Sequence, residues 1–464
     1  MKPILSIVVL LLIITTAQAQ SFIGYSSGNY TGVNGVFFNP AYAANSRYHW
    51  DFNLVQVNAS VYNNAVSYKL SNLAKSFNSD ALINKLYSTT NASGLENVDV
   101  LGPSLLFNIN SKTAFALTTR YREFGNLGGV NGNLLQSIKG EDAPETFGIN
   151  NMNMQVAATG WMEAGVTWAN VLYNNGKHFL KGGISLKYLG GISNAAISTH
   201  HLNASIGLDP AKDNYLAANV SGDINLRFAG ASPANMSGND LIKFNGHGAG
   251  IDIGLSYEYR PRGEEYEFAD GSYDRSENLY KIRASVALLD MGSIRFNKDP
   301  QRSGSYTAGF TGSDQFDLSA LNTDIDKIKG ALDANSGLFT PAPDATGSKY
   351  KVSLPARLMT EIDYHFNKGF YLNLAGHMSL AKSNDIYKMS DLNRIVVTPR
   401  VETPFIGFYV PLQVNKMTGF DAGMALRLGK LVIGSSNIFT ALGSSKMVNA
   451  YIGFRLFGST QKGS

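Results

Sequence analysis

Ala114-Phe115-Ala116-Leu117-Thr118-Thr119-Arg120-Tyr121-Arg122 is the stretch that decides the fold. Side chains alternate across a β-strand, so Phe115, Leu117, Thr119 and Tyr121 share one face while Ala114, Ala116, Thr118, Arg120 and Arg122 share the other. One face suits lipid and the other water. The same period returns at Ile251, Ile253, Leu255, Tyr257 and Tyr259 against Asp252, Ser256 and Glu258. It returns again at Leu216, Ala218, Val220, Ile224, Leu226 and Phe228 against Asn219, Ser221, Asp223, Asn225 and Arg227. Repeated along the chain in segments long enough to cross a bilayer obliquely, this alternation specifies an all-β transmembrane antiparallel barrel. A soluble sandwich also alternates, but it rarely needs so many long segments in succession.

Composition agrees. The 464 residues include no Cys, which removes disulfides and thiolate metal sites. Charged residues are scarce at 16%, whereas 47 Gly, 23 Tyr and 25 Phe supply strand curvature and interfacial aromatics. A net charge of +4 without a basic run leaves no footprint for nucleic acid. Lys2, the apolar run from Ile4 to Ile14, and Ala17-Gln18-Ala19 predict a signal peptide over 1–19, with the mature chain starting at Gln20. After Ile14 there is no apolar stretch of about 18 residues, so membrane-spanning helices are excluded. The expected organisation is a hatch segment over 20–46, a barrel over 47–457 and a tail over 458–464. The location is the outer membrane of a Gram-negative cell, with both termini periplasmic.

Short turns are expected at Asn110 to Lys112, Asn174 to His178, Asn367 to Gly369 and Gly429-Lys430. Long polar loops are expected over Glu123 to Asn153, Gly191 to Asp213 and Asn384 to Leu392. Tyr364, Phe366, Phe370 and Tyr371 flank the Asn367 turn and predict an aromatic girdle. Alternation counts about fifteen strands, but such barrels carry an even number. Adding Ser305 to Phe310 gives about sixteen; removing a marginal pair as a plug hairpin gives about fourteen. Two loop helices are predicted, one at Leu318, Leu321, Ile325, Ile328 and Leu332 with Asp317 as N-cap, the other starting at Leu70, Leu73 and Phe77. They either close the barrel mouth or dock a partner.

Chemical motifs fail on context. Gly24-Tyr25-Ser26-Ser27-Gly28 has the spacing of a hydrolase nucleophile elbow but lacks the strand before it and the helix after it. Asn322, Asp324 and Asp326 imitate a calcium loop, yet Lys327 stands where Gly is required. His200-His201 has no spaced carboxylate. The reading is therefore a non-enzyme without metal or cofactor. The candidate lumen wall comprises Arg120, Arg122, Lys187, Arg227, Asp252, Glu258, Arg283, Glu361 and Asp363. Mixed signs there form either a ladder filling the interior or a selective conduit. The candidate hatch or ligand contact is Phe37-Phe38-Asn39-Pro40-Ala41. Pro40 fixes the backbone and Asn39 bonds its own turn, stiffening a bend that carries two rings. Its alternative role is a plain entry turn.

Asn39-Pro40-Ala41 resembles the N-terminal hatch motif of long-chain fatty-acid transporter (FadL-like) barrels and of the PorV-like barrel of type IX secretion. Gly183-Ile184-Ser185-Leu186-Lys187-Tyr188-Leu189-Gly190-Gly191, Leu289-Asp290-Met291-Gly292-Ser293-Ile294, Leu354-Pro355-Ala356-Arg357-Leu358 and Thr398-Pro399-Arg400-Val401-Glu402 look like an uncharacterised relative of those families. The resemblance implies a barrel of about 14 to 16 strands with a lumen hatch, passing or binding a hydrophobic or amphipathic small molecule. The alternative it implies is a barrel that scaffolds a surface or secretion complex through a protein partner. Met447 to Phe457 resembles the final strand read by the barrel-insertion machinery, although Gly458 to Ser464 trails beyond the aromatic. Expected partners are thus membrane lipid, that machinery, and a small molecule or a secretion protein.

Overall fold

A computed structural model describes residues 22–72, 87, 89–141, 143–211, 213–231, 238–266, 268, 274–275, 277–343, 347–367, 369–381 and 388–458. The predicted signal peptide, most of the second loop helix, the start of the Asn384 loop and nearly all of the tail lie outside these residues. The first strand, Trp50–Asn63, pairs antiparallel with the last, Met447–Phe457, from Asp51 opposite Phe457 to Tyr62 opposite Met447. That pairing closes the sheet into a barrel of 14 wall strands. Outward side chains along the wall are apolar: Leu117 is 50% exposed, Leu186 60%, Ile362 55% and Ile452 51%. A closed ladder satisfies its backbone groups without water, which lets such a surface face lipid. No described helix is long and apolar enough to cross a membrane.

Several wall strands are broken, and proline explains three breaks. Ala92–Leu101 resumes as Ser104–Asn108 after Gly102-Pro103, Lys349–Ser353 as Arg357–Asn367 after Leu354-Pro355-Ala356, and Ile406–Tyr409 as Leu412–Asn415 after Val410-Pro411. Proline has no N–H to give the ladder. Strand Ile282–Asn297 is interrupted differently. Its register with Gly246–Tyr259 shifts between Leu288 and Met291, and Asp290 sits there with φ of 58°. Such a bulge re-aims a side chain.

Fourteen lies within the expected 14 to 16, and of the two routes to an even count the added Ser305 to Phe310 is the one that does not hold. That segment is a strand, Gly304–Gly309, but it pairs with Asn214–Gly230, outside the wall. Asn214–Gly230 in turn pairs with the upper half of the 32-residue strand His178–Asp209, whose lower half, His178 to Gly191, pairs with Gly246–Tyr259. Both strands therefore belong to a cap on one rim. The alternation of Asn214–Gly230 has the opposite meaning from that of a wall strand: Val220, Leu226 and Phe228 are buried in the cap core while Asn219, Ser221 and Asp223 are exposed. Removing Asn214–Gly230 from the fifteen leaves the even count of fourteen without any added wall strand.

Two predicted loops are also corrected. Gly191 to Asp213 is mostly the upward continuation of His178–Asp209. Glu123 to Asn153 contains the end of Thr113–Val130, a helix Gly132–Lys139 and a strand Thr146–Met152. The helix starts at Asn131, whose side chain accepts from the N–H groups of Asn133 and Leu134, and stops at Gly140 with φ of 69°. The Asp317 helix breaks into turns Leu318–Leu321 and Ile325–Lys327 followed by Ile328–Asp333, with Asp317 capping through Ser319 N–H at 2.9 Å. Leu318, Ile325, Ile328 and Leu332 are buried against the cap sheet, so this face closes on its own fold. The predicted short turns lie at the rim that holds the strand termini Trp50 and Phe457. One connection at that rim is long, spanning 260–281. The girdle loses one member: Tyr364, Phe366 and Phe370 point outward, but Tyr371 is 3% exposed and stacks on His365 inside.

Candidate functional site

The order of layers filling the lumen is written along single strands. Up Ile282–Asn297 from the terminal rim, the buried side chains are Arg283, Ala287, Leu289, Asp290, Ile294 and Phe296. Down Arg357–Asn367 they are Arg357, Met359, Glu361 and Asp363. A lower ionic layer is thus followed by small and apolar residues, an upper ionic layer, and an aromatic layer beneath the cap.

The upper ionic layer converges on Asp290, which the bulge turns inward. Its carboxylate meets Arg122 at 2.9 Å, Lys187 at 2.7 Å and Arg357 at 3.2 Å. Lys187 also pairs with Asp252 at 2.8 Å, Arg122 with Glu163 at 3.3 Å, and Arg120 with Asp99. In the lower layer, Arg400 holds Asp363 at 2.6 Å, Arg283 reaches Asp363 at 3.3 Å, Lys181 and Arg260 flank Glu258, and Tyr42 donates to Glu361 at 2.6 Å. Of the predicted wall residues, Arg120, Arg122, Lys187 and Asp252 meet above, and Glu258, Arg283, Glu361 and Asp363 below. Arg227 does not join them. It lies on the cap strand Asn214–Gly230, where its guanidinium donates to Gly304 O and Ser305 Oγ.

Between the ionic layers sits the segment predicted as a hatch. Asn39 is the N-cap of a short turn, Pro40–Ala43, accepting from Ala41 N–H at 2.9 Å, with Pro40 supplying a preset φ at the first position. The Asn39 amide donates to Leu255 O at 3.1 Å and Val286 O at 3.3 Å, tying the turn to two neighbouring wall strands. The wall receives it through a row of small residues paired strand to strand: Ala114, Ala169, Gly183, Gly254 and Ala287. A Cβ at Gly183 would lie 2.5 Å from the Pro40 carbonyl carbon, and one at Gly254 would collide with Asn39 Oδ1. Glycine is therefore required at both positions by close approach. Phe37 lies beneath Arg120, whose guanidinium is 5.3 Å from the ring centre, and Phe38 meets Phe22 edge-on at 6.2 Å. Ala41 is fully buried. Phe37, Phe38, Asn39, Pro40 and Ala41 are thus gathered at one level of the lumen, beneath the Asp290 hub. The nearby Gly24–Gly28 motif forms a 3-10 turn, Tyr25–Ser27, with Ser27 Oγ bonded to Gly24 O.

A second site lies in the cap, where sequence reading placed none. The helix Gly132–Lys139, the turns after Asp317 and the cap strands enclose an apolar cavity of about 150 Å³. Thr199 is the sole polar residue among the described residues lining it, and its hydroxyl is committed, donating to Met152 O and accepting from Met154 N–H. Beside it opens a polar, asparagine-rich vestibule of about 1050 Å³ that runs to Asp391 of the upper ionic layer. Ile149, Met152, Met154 and Thr199 form the common wall of the two spaces.

The model of a family of unknown function, DUF5723, matches residues 40–436. The chain belongs to that family. The DUF5723 match takes in Pro40, the socket glycines, the Asp290 bulge and the whole cap. No curated protein matches this DUF5723 member in sequence. Among solved structures, it is similar to the toluene transporter TbuX of Ralstonia pickettii, at 12% identity and a TM-score of 0.42, over 96% of this chain and 97% of that one. It is similar to the toluene transporter TodX of P. putida at 8% identity and 0.45, over 93% and 95%. A Pseudomonas aeruginosa FadL homologue gives 11% identity and 0.38, over 91% and 92%.

The wall residues that sequence reading missed include Asp290, Glu163, Asp99, Arg357 and Arg400. Alternation alone would have found Glu163, which shares its face with Gly165 and Thr167 on Gln155–Asn174. Asp290 carries no such signal, because the bulge shifts the phase at that residue.

Proposed function

We propose that the protein captures an apolar or amphipathic small molecule at the outer surface of the outer membrane and passes it inward under control of the hatch. In this reading the cap faces the exterior, both termini are periplasmic, and the chain is exported by the signal peptide over 1–19. The observation that carries it is the cap cavity: a space of about 150 Å³ without an uncommitted polar group in its described lining. Apolar walls facing water are unfavourable, and a hydrophobic guest seated against them takes that surface out of water. Met152 and Met154 on the wall shared with the vestibule are flexible, polarisable side chains suited to let such a guest through. Below, Phe37, Phe38, Asn39, Pro40 and Ala41 hold the lumen shut until the Asn39 turn leaves its socket.

Binding of a fluorescent naphthylamine to the purified barrel tests the cavity. Ala204→Leu with Ala217→Leu fills it from the cap half of His178–Asp209 and from Asn214–Gly230, away from the wall. Affinity is expected to fall at least about tenfold, the value of a lost apolar pocket contact, while the heat-dependent gel shift of the barrel persists. Unchanged affinity would remove the cavity from the account.

A further inference from the structure

In the long connection after Tyr259, residues 274–275 and 277–280 lie against hatch residues at the terminal mouth of the barrel. Between them is a polar pocket of about 80 Å³, touched by Ser46 of the hatch segment, Arg47 just after it, Asp274, Arg275, Glu277 and Asn278 of the connection, and Arg283 of the wall. Arg275 is 5% exposed. Its guanidinium gives one bond to Ser46 O, at 3.4 Å, and no carboxylate among the described residues pairs with it. Burial, unopposed by an acid, draws it down to about 10, which still leaves it charged at neutral pH. Two further buried donors on this pocket, Asn278 Nδ2 and Arg283 Nε, have no partner. The Asn278 oxygen already accepts from Arg47, and the other Arg283 nitrogens serve Asn29, Ser27 and Asp363. No buried acceptor atom of the described lining residues is left over. The buried hydrogen-bonding capacity left unspent is all donor, while the Asp274 and Glu277 carboxylates lie at the more exposed edge of the space, which has the size of one small anion.

We propose that this pocket binds a small oxyanion, a carboxylate or a phosphate, on the terminal face of the hatch. A planar guanidinium that has spent only one long bond matches either group, and hydrogen bonds to an ionised acceptor in a buried site are the strong kind. The proposal rests on the uptake reading only for the source of the anion: the head of an amphipathic acid that has passed the hatch, or the phosphate of a membrane lipid. Asn45 and Ser46 belong to the hatch segment, so a bound anion also favours the seated hatch.

Calorimetric titration of the full-length barrel in non-ionic detergent at low salt tests this, with sodium benzoate, inorganic phosphate and uncharged benzyl alcohol as probes. Saturable binding of one oxyanion per chain is expected, weakened at least about tenfold by Arg275→Gln, with benzyl alcohol unaffected by the substitution. Tighter binding of benzoate assigns the site to an amphipathic acid, and tighter binding of phosphate assigns it to a lipid phosphate. Should Arg275→Gln fail to insert, Asn278→Asp, which sets a carboxylate against the anion, must give the same loss. No saturable binding of either oxyanion to the wild type, or unchanged binding in both variants, overturns the proposal. Naphthylamine binding in the cap is read separately, so its survival in that event leaves the uptake reading standing.

Discussion

Gly254→Leu turns a sealed barrel into a leaky one. In planar bilayers the wild-type protein is expected to pass no ionic current, because the hatch residues Val33, Ala41, Ala43 and Ala44 are fully buried at mid-lumen. The leucine side chain would occupy the place of Asn39 Oδ1 and Pro40 Cδ in the socket. The two bonds from Asn39 to Leu255 O and Val286 O are then lost together, and the turn cannot seat. The ends of the hatch stay tied, through Tyr451 to Ile23 O and through Val33 N–H to Asp51. The expected result is stepwise conductance and proteolysis near Pro40, with a stability loss of about 1–3 kcal/mol from overpacking. The same change at Gly309, where a Cβ meets nothing within 4 Å, should leave the current at zero. A Gly254→Leu barrel as tight as the wild type would show that the socket does not hold the hatch.

Asp290→Asn is expected to cost about 3 kcal/mol in a reversible guanidinium titration of the folded barrel, among the larger penalties open to a single residue. Asparagine keeps the size of the side chain and tolerates the left-handed backbone at φ of 58°, so only the charge is removed. Arg122, Lys187 and Arg357 then lose their shared anion in a buried layer. Glu163, Asp252 and Asp391 remain within reach of them and hold the loss near the low end for breaking a buried pair. Adding Arg357→Met should recover part of it, since Asp391 keeps Arg394 as a partner. A single variant indistinguishable from the wild type would mean that Asp290 is not the hub.

What could be read from the sequence, and what could not, follows from how far each signal reaches. Wall strands announce themselves locally: Leu117 faces out and Arg120 and Arg122 face in, as their two-residue period requires. Asn39-Pro40 is similarly local, since the cap and the fixed φ both act within four residues. Alternation does not say which medium the apolar face meets. Leu226 and Phe228 obey the same period as Ile251 and Ile253, yet the first pair faces a cap core and the second faces the belt. The helix Gly132–Lys139 had its signals in place at Asn131, Leu134, Leu135, Ile138 and Gly140, but they lay inside a polar stretch taken as one loop. The cap cavity had none, because its lining runs from Val130 to Phe339 and is assembled only by long-range pairing. The socket illustrates the same limit: Gly183 and Gly254 are 71 residues apart and become a single surface only when their strands pair.

Uptake by intact cells tests the central claim most directly. Cells lacking the native protein would carry the wild type, the Ala204→Leu with Ala217→Leu barrel, or an empty vector, and accumulation of the fluorescent naphthylamine would be followed at equal barrel abundance in the outer membrane. The account predicts fast accumulation with the wild type and a rate at the vector level with the filled cap. Equal rates for all three strains would contradict it.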